Sequence, residues 1–489
     1  METTSSLAKI QKGPIYQIMT KDSGSPRERF SAITRRIPEI RSLNMNAIWL
    51  TGVCSCSGYG NTPFGLYDPL AIEPSYGTQT QLRQLIDSAH SEGMIILADL
   101  IGNHISKDSK YLLPGSPDRD MVFWENESTP LSATDYRKAN WRFDDVAQLD
   151  FSNPKVKQMI FDMAFYLMDQ GFDGLRIDAP AALLRKQMIE NWYEGQPDKI
   201  AAIERLYPQD PLKMIIDAVR QRYPGAPIIA EAMGRHDEVV ACGADLVYDF
   251  SVVDDFYKLL KLYGQDGWKS PADVIGTINA KAGQYVFTCR EIRIKDGHDV
   301  RDVKMGGKGL SVPTHFNGYE NKLLAIVLAT LPGVPMYFNA ELEAVIGYAY
   351  NRYSSTQIDW QSFDPNMRDF YRAFCDTLLT ADTFRFGSAG GLGYHGSNIG
   401  AFWRSDDSRT FVVAAHLNPY AGSAEEWVNL GVTDLVSRRA SSVTINNIFG
   451  TEPMSEHHWK RTPAWLTTYG LPVRLKPKEA QVFELIYSK

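Results

Sequence analysis

The chain has 489 residues, of which 22% are charged and 44% hydrophobic, and its 51 Lys and Arg against 58 Asp and Glu leave a net charge of −7. This is globular composition, which excludes disordered, collagen-like and coiled-coil chains and gives no electrostatic case for nucleic acid or an anionic membrane as partner. Five scattered cysteines exclude a disulfide scaffold, and no stretch approaches the roughly 20 apolar residues of a membrane helix.

Met1-Glu-Thr-Thr-Ser-Ser lacks the charged start and apolar run of a secretion signal, so a cytoplasmic protein is expected. Short apolar runs then alternate with amphipathic stretches up to about residue 380. The runs are Ile15-Tyr-Gln-Ile-Met, Ala47-Ile-Trp-Leu, Met94-Ile-Ile-Leu-Ala, Gly174-Leu-Arg-Ile, Pro227-Ile-Ile-Ala, Leu246-Val-Tyr, Tyr285-Val-Phe-Thr and Val334-Pro-Met-Tyr-Phe. Such runs fit parallel strands buried on both faces. Helical patterns lie between them at Gln81 to His90, Pro154 to Gln170 and Glu320 to Leu331, the second ending at Gly171. Eight strands alternating with helices predict a (β/α)8 barrel over residues 1–385. An open doubly wound sheet would bring a Gly-rich phosphate loop after its first strand, and none is present.

Cys54-Ser-Cys56 has no second pair to complete a zinc site. The polar, weakly periodic stretch 105–148 reads as an enlarged loop after the third strand. Beyond the glycine cluster Gly387-Ser-Ala-Gly-Gly-Leu-Gly, the runs Ala401-Phe-Trp-Arg, Thr410-Phe-Val-Val-Ala-Ala, Ser442-Val-Thr-Ile and Ala480-Gln-Val-Phe-Glu-Leu predict an antiparallel β-sandwich over residues 386–489.

Active-site groups of a barrel stand at the C-terminal ends of its strands. Three predicted strand ends carry charge: Asp99-Leu-Ile-Gly-Asn103-His104, Arg176-Ile-Asp178 and Ala230-Glu231. The spacing of two puts Arg176 and Asp178 on one strand face. An isolated acid of this kind is usually structural. Two on adjacent strands, with an Arg beside one, fit paired carboxylate chemistry better, because barrel strands about 4.8 Å apart approach the roughly 5–5.5 Å carboxyl separation of a retaining glycosidase.

These segments resemble the signatures of the α-amylase family of glycoside hydrolases and transglycosylases, glycoside hydrolase family 13. The likeness extends to Tyr67-Asp-Pro-Leu-Ala-Ile-Glu-Pro-Ser-Tyr-Gly-Thr, Leu149-Asp-Phe-Ser-Asn-Pro and Thr330-Leu-Pro-Gly-Val-Pro, and so to nearly the whole chain. The resemblance implies a retaining enzyme acting on α-glucosidic bonds of an oligosaccharide or small glucoside. Asp178 is then the nucleophile, Glu231 the general acid/base, and Asp99, His104, Arg176, Phe64 and Asp68 line the substrate site. Asn103 matches a calcium ligand of some members. The loop insertion offers no cluster of partner carboxylates, so no metal is expected, and no cofactor either. Oligomeric state stays open.

Two positions depart from the family pattern. The family's fourth signature, Asn-His-Asp at the end of the seventh strand, lacks its usual form. With Tyr285-Val-Phe-Thr-Cys-Arg-Glu as the strand, Glu291 takes the acid's place. Gly297-His298-Asp299 keeps better residue types but would need a strand of about 14 residues, against the usual 5 or 6. Thr314-His315-Phe316 keeps only the His, and a simple Arg290–Glu291 rim pair remains a further alternative. The family's stacking Tyr is Phe64, which keeps the apolar face and loses the hydroxyl. These departures keep open a catalytically silent carbohydrate- or partner-binding barrel. A phosphorylase drawing on Arg290, Arg293 and Lys295 is a third possibility.

Overall fold

The computed structural model describes residues 6–60, 62–133, 143–232, 234–260, 267–284, 290–298, 318–395, 398–407, 409–421, 425–436, 440–452 and 458–488. Eight parallel strands close into a barrel in simple chain order: Ile15–Met19, Ala47–Thr51, Ile95–Leu100, Gly174–Ile177, Ile228–Ala230, Leu246–Asp249, Glu291–Ile294 and Val334–Phe338. Seven of these coincide with the predicted runs. Compactness divides the chain into one unit of residues 1–248 with 350–358 and a second of 249–349 with 359–489.

In the first unit the barrel strands are buried along all or nearly all of their length, as parallel strands covered by helices must be. The helix Gln79–Ser91 starts at a capping box, in which Thr78 accepts from the Gln81 N–H and Gln81 reaches back to the Thr78 N–H. Pro154–Asp169 starts with Asn153 as cap and Pro154 in the first turn, and ends before Gly171 at φ +108. The predicted loop after the third strand carries a small antiparallel sheet of its own, built from His104–Ser106, Ser132–Ala133 and Phe143–Gln148. The segment 350–358 is tied down by Lys21 and Asp22, both fully buried. Lys21 Nζ donates to the carbonyls of Asn351 at 2.7 Å and Ser354 at 2.6 Å, and Asp22 accepts from the Thr356 N–H at 2.9 Å.

The second unit holds the C-terminal sandwich. A six-stranded antiparallel sheet stands against a two-stranded one formed by Glu426–Leu430 and Leu471–Leu475. Ile399, Ala401, Val412 and Ala414 of the large sheet bury against Leu430, Leu471 and Val473 of the small one. The glycine cluster is not the expected separator, because Ser388–His395 is itself the edge strand of the large sheet. Its glycines make room for neighbours. A Cβ on Gly390 would lie 2.6 Å from the Trp403 indole nitrogen, and one on Gly391 2.2 Å from Asn279 Oδ1.

The seventh barrel strand corrects the sequence expectation. Residues 285–289 lie outside the described residues, and the strand is Glu291–Ile294, so Glu291 opens it. The start of a parallel barrel strand is the end away from the active face. Glu291 there pairs with Lys281 at 2.7 Å and Arg293 at 2.6 Å, and it does not stand at a strand's C-terminal end. That end leads into Lys295, Asp296, Gly297 and His298, with His298 buried. Asp299 lies outside the described residues, as does Thr314-His315-Phe316.

Candidate active site

Strand register assembles the site. Asp99 of the third strand pairs with Arg176 of the fourth, and Ile177 of the fourth with Ala230 of the fifth. Asp178 and Glu231 are each one residue beyond that last pair, so they emerge together at the same end. At the other end of the fourth strand, Gly174 lets the chain entering the fifth strand come close, since a Cβ on it would lie 2.0 Å from the Pro227 carbonyl oxygen.

Arg176 is the hub. It is fully buried, and its Nη1 donates to Asp99 Oδ1 at 2.9 Å and to Asp178 Oδ1 at 2.6 Å, while Nη2 pairs with Glu231 Oε2 at 2.7 Å. Its Nε donates to the Tyr248 hydroxyl at 3.2 Å, and its carbon lies 4.6 Å from the centre of the Trp49 ring. Burial works against the guanidinium charge. Asp99 and Glu231 outweigh it and hold the pKa well above the ordinary value. Asp178 shows the same contest. Burial would raise its pKa, but Arg176, then His104, then a hydrogen bond with the Glu231 side chain bring it below the usual carboxylate value. Glu231 Oε2 also accepts from the Ala179 N–H at 3.3 Å, in a turn where Ala179 is left-handed at φ +43.

Burial lowers the pKa of His104, with the nearby Arg352 adding to the effect and Asp178 opposing it, so the imidazole is neutral near pH 7. Its Nε2 lies 3.2 Å from the Phe64 carbonyl oxygen. A carbonyl only accepts, so the proton is on Nε2. The Phe64 ring lies 5.8 Å from the Arg176 guanidinium. Phe64 and His104 therefore belong to the cluster with Asp99, Arg176, Asp178 and Glu231. Asp68 is engaged elsewhere, bound to Lys110 Nζ at 2.6 Å and accepting from the Leu70 N–H at 3.0 Å. Asn103 Oδ1 accepts from Gln148 Nε2 at 3.1 Å.

Trp49 and Tyr248 were not singled out from the sequence. Both lie in runs that read as plain core, and their only signal was an aromatic side chain on the strand that supplies it. Arg352, set over the Phe143 ring at 4.5 Å, gave no signal at all. Two of the cations considered for a phosphate acceptor are taken. Arg293 is buried and pairs with Asp249 and Glu291, and Lys295 with Glu341 at 2.8 Å.

Residues 29–367 match the family model "Alpha amylase, catalytic domain". The chain belongs to the α-amylase family. Among curated relatives, trehalose synthase of Thermus thermophilus is 26% identical over 260 residues, 47% of this chain and 26% of that protein. Trehalose-6-phosphate hydrolase of Bacillus subtilis is 25% identical over 212 residues, 38% of each chain. The matched stretch thus spans well under half the length of these relatives. Among solved structures, an α-amylase from Geobacillus thermoleovorans complexed with acarbose superposes with a TM-score of 0.71 at 18% identity, covering 98% of this chain and 99% of that one. This last likeness is one of fold.

Proposed function

We propose that the protein is a retaining α-glycosidase, hydrolysing α-glucosidic bonds of oligosaccharides or transferring the glycosyl group, with Asp178 as nucleophile and Glu231 as general acid/base. The barrel runs to about residue 385, with the sandwich following. The observation that carries this reading is the buried Arg176, which gathers Asp178 and Glu231 onto one guanidinium. The names of the relatives, a trehalose synthase and a trehalose-phosphate hydrolase, agree with either acceptor, a sugar hydroxyl or water.

The chemistry follows from the two carboxyls. An ionised Asp178 attacks the anomeric carbon, forming a glycosyl ester as the bond to the leaving oxygen breaks. Glu231 gives its proton to that oxygen, then takes one from the incoming acceptor as the ester is broken. Hydrogen-bond contact between the two side chains supports retention, since an inverting pair stands roughly 6.5–9.5 Å apart with a water between. Arg176 favours the ionised Asp178, and Glu231 is assigned the proton that a general acid requires. Asp99 and His104 are proposed to hold the sugar hydroxyls, and the Phe64 ring to supply an apolar face. Asp68, engaged by Lys110, is proposed to shape the loop beneath that face.

The third acid is proposed to be Asp299. With the strand running from Glu291 to Ile294, the tract Gly297-His298-Asp299 begins three residues past its end, so no strand of about 14 residues is needed to reach it. The silent-barrel alternative loses its main motive with it.

D178N should lower kcat on an aryl α-glucoside by on the order of 10⁴-fold or more, as loss of a nucleophile does elsewhere. A fluoroglycoside that traps the ester should add one sugar mass to the peptide carrying Asp178. Undiminished turnover by D178N, or a label on another residue, would overturn the assignment.

A further inference from the structure

The first unit also holds a cavity of about 1170 Å³ that none of Asp99, His104, Arg176, Asp178 or Glu231 lines. Its walls come from segments following the first, second, third and eighth barrel strands, and include Arg27, Arg29, Ser75, Ser355 and Tyr67 together with the carboxylates of Glu73 and Asp108. Arg29 is only 3% exposed. Its Nη1 donates to Ser75 Oγ at 3.3 Å and its Nη2 to Ser355 Oγ at 3.3 Å, and its Nε has no hydrogen-bond partner. Its remaining neighbour is the Tyr76 ring, 5.1 Å away. Among the described residues no carboxylate lies within ion-pair distance of it. A buried guanidinium in direct contact only with neutral oxygens and a ring lacks a contacting anion, a costly state for a folded protein to keep.

The acids close by are committed to other groups. Glu73 accepts from the N–H of Cys56 at 2.9 Å and of Ser75 at 3.0 Å. Asp22 is paired with Lys21 at 3.0 Å, and Asp108 accepts from the hydroxyls of Ser57 and Ser106. Glu28 makes no side-chain cap on the helix Arg29–Ser42, whose N-terminus starts at this wall and adds positive potential. Arg27 contributes a second guanidinium from an exposed position, its backbone held at φ +69 by a 2.7 Å bond from its N–H to the Ser75 carbonyl.

We propose that this cavity is a phosphoryl site, taking the phosphate of a phosphorylated sugar. A tetrahedral oxyanion presents acceptors on all sides, which suits a fork of Arg nitrogens flanked by serine hydroxyls. The volume far exceeds a lone phosphate, and Tyr67, 36% exposed on the wall, offers a ring for a sugar to cover. The site shares no residue with the carboxylate cluster, so it stands whether or not the catalytic proposal does.

Binding tests it without turnover. Glucose 6-phosphate, inorganic phosphate and glucose are titrated calorimetrically against the full chain at constant ionic strength. Saturable binding of glucose 6-phosphate, weakened about tenfold by R27Q and more by R29Q, is expected. Inorganic phosphate should bind at the same site more weakly. Should the two bind equally, the sugar part of the proposal is wrong. Binding of glucose alone as strong as that of its phosphate, or affinities unchanged in both variants, would overturn the phosphoryl site itself. If R29Q does not fold, R27Q still decides, since its side chain is exposed.

Discussion

At the scale of single residues, Arg176 explains why the site needs so few parts. It touches no substrate atom in the mechanism above, so it is a positioning residue. It favours the ionised Asp178 and keeps Asp178 and Glu231 against one guanidinium. Lysine would keep the charge but lose the fork. R176K is expected to lower kcat on the order of 10²-fold through misplacement and to move the acid limb of the pH–rate profile upward, since a single ammonium is not held against Asp178 as the fork is. A purely structural role would lower the amount of active enzyme and leave that limb in place. The stability sign follows too. The folded pKa of Asp178 lies below its ordinary 3.8, so its contribution is present above that value and is lost as pH falls through the folded pKa.

At the scale of elements, most of the barrel was legible because seven strands are continuous apolar runs. The seventh was not, for a physical reason. Glu291-Ile-Arg-Ile alternates charge with apolar residues, and Arg293 is buried against Asp249 and Glu291 rather than exposed. An apolar-run criterion passes over such a strand and takes Tyr285-Val-Phe-Thr instead. Starting the strand six residues later, at Glu291 rather than Tyr285, moves the proposed third acid from Glu291 to Asp299. The two assignments separate cleanly: E291Q should keep kcat within about threefold, whereas D299N should lose on the order of 10²–10³-fold, the scale set by removing one group that meets developing charge. Arg176 and Asp178 were legible as neighbours, because a spacing of two on a strand fixes a shared face. Their aromatic supports were not, since Trp and Tyr in a core run look like core. Gly174 is the element-scale weak point. G174A should destabilise the fold by about 1–3 kcal/mol or more in a denaturant titration, as other overpacked sites do, because a backbone carbonyl stands where the methyl would go.

At the scale of the whole molecule, the expected boundary near residue 385 is close to the first strand of the sandwich at Ser388. The grouping of contacts is different, with residues 350–358 belonging to the first unit although their chain neighbours belong to the second. Sequence could not reveal that, because the tie depends on a buried Lys21–Asp22 pair whose partners are more than 300 positions away. Breaking a buried pair leaves an uncompensated charge. D22N is therefore expected to cost about 3–5 kcal/mol, read as a lower Tm, and to expose the 350–358 segment to limited proteolysis before the rest of the unit.

The charge left over in the Arg176 cluster has a practical side. One guanidinium stands against three carboxyl groups, those of Asp99, Asp178 and Glu231, so the pocket favours a further positive charge. A protonated amino-polyol such as Tris supplies that charge together with hydroxyls. The Arg29 cavity is proposed to take phosphate. Amine and phosphate buffers are thus candidate ligands for two different places on this chain, and a medium free of both is the fair one in which to measure what it does.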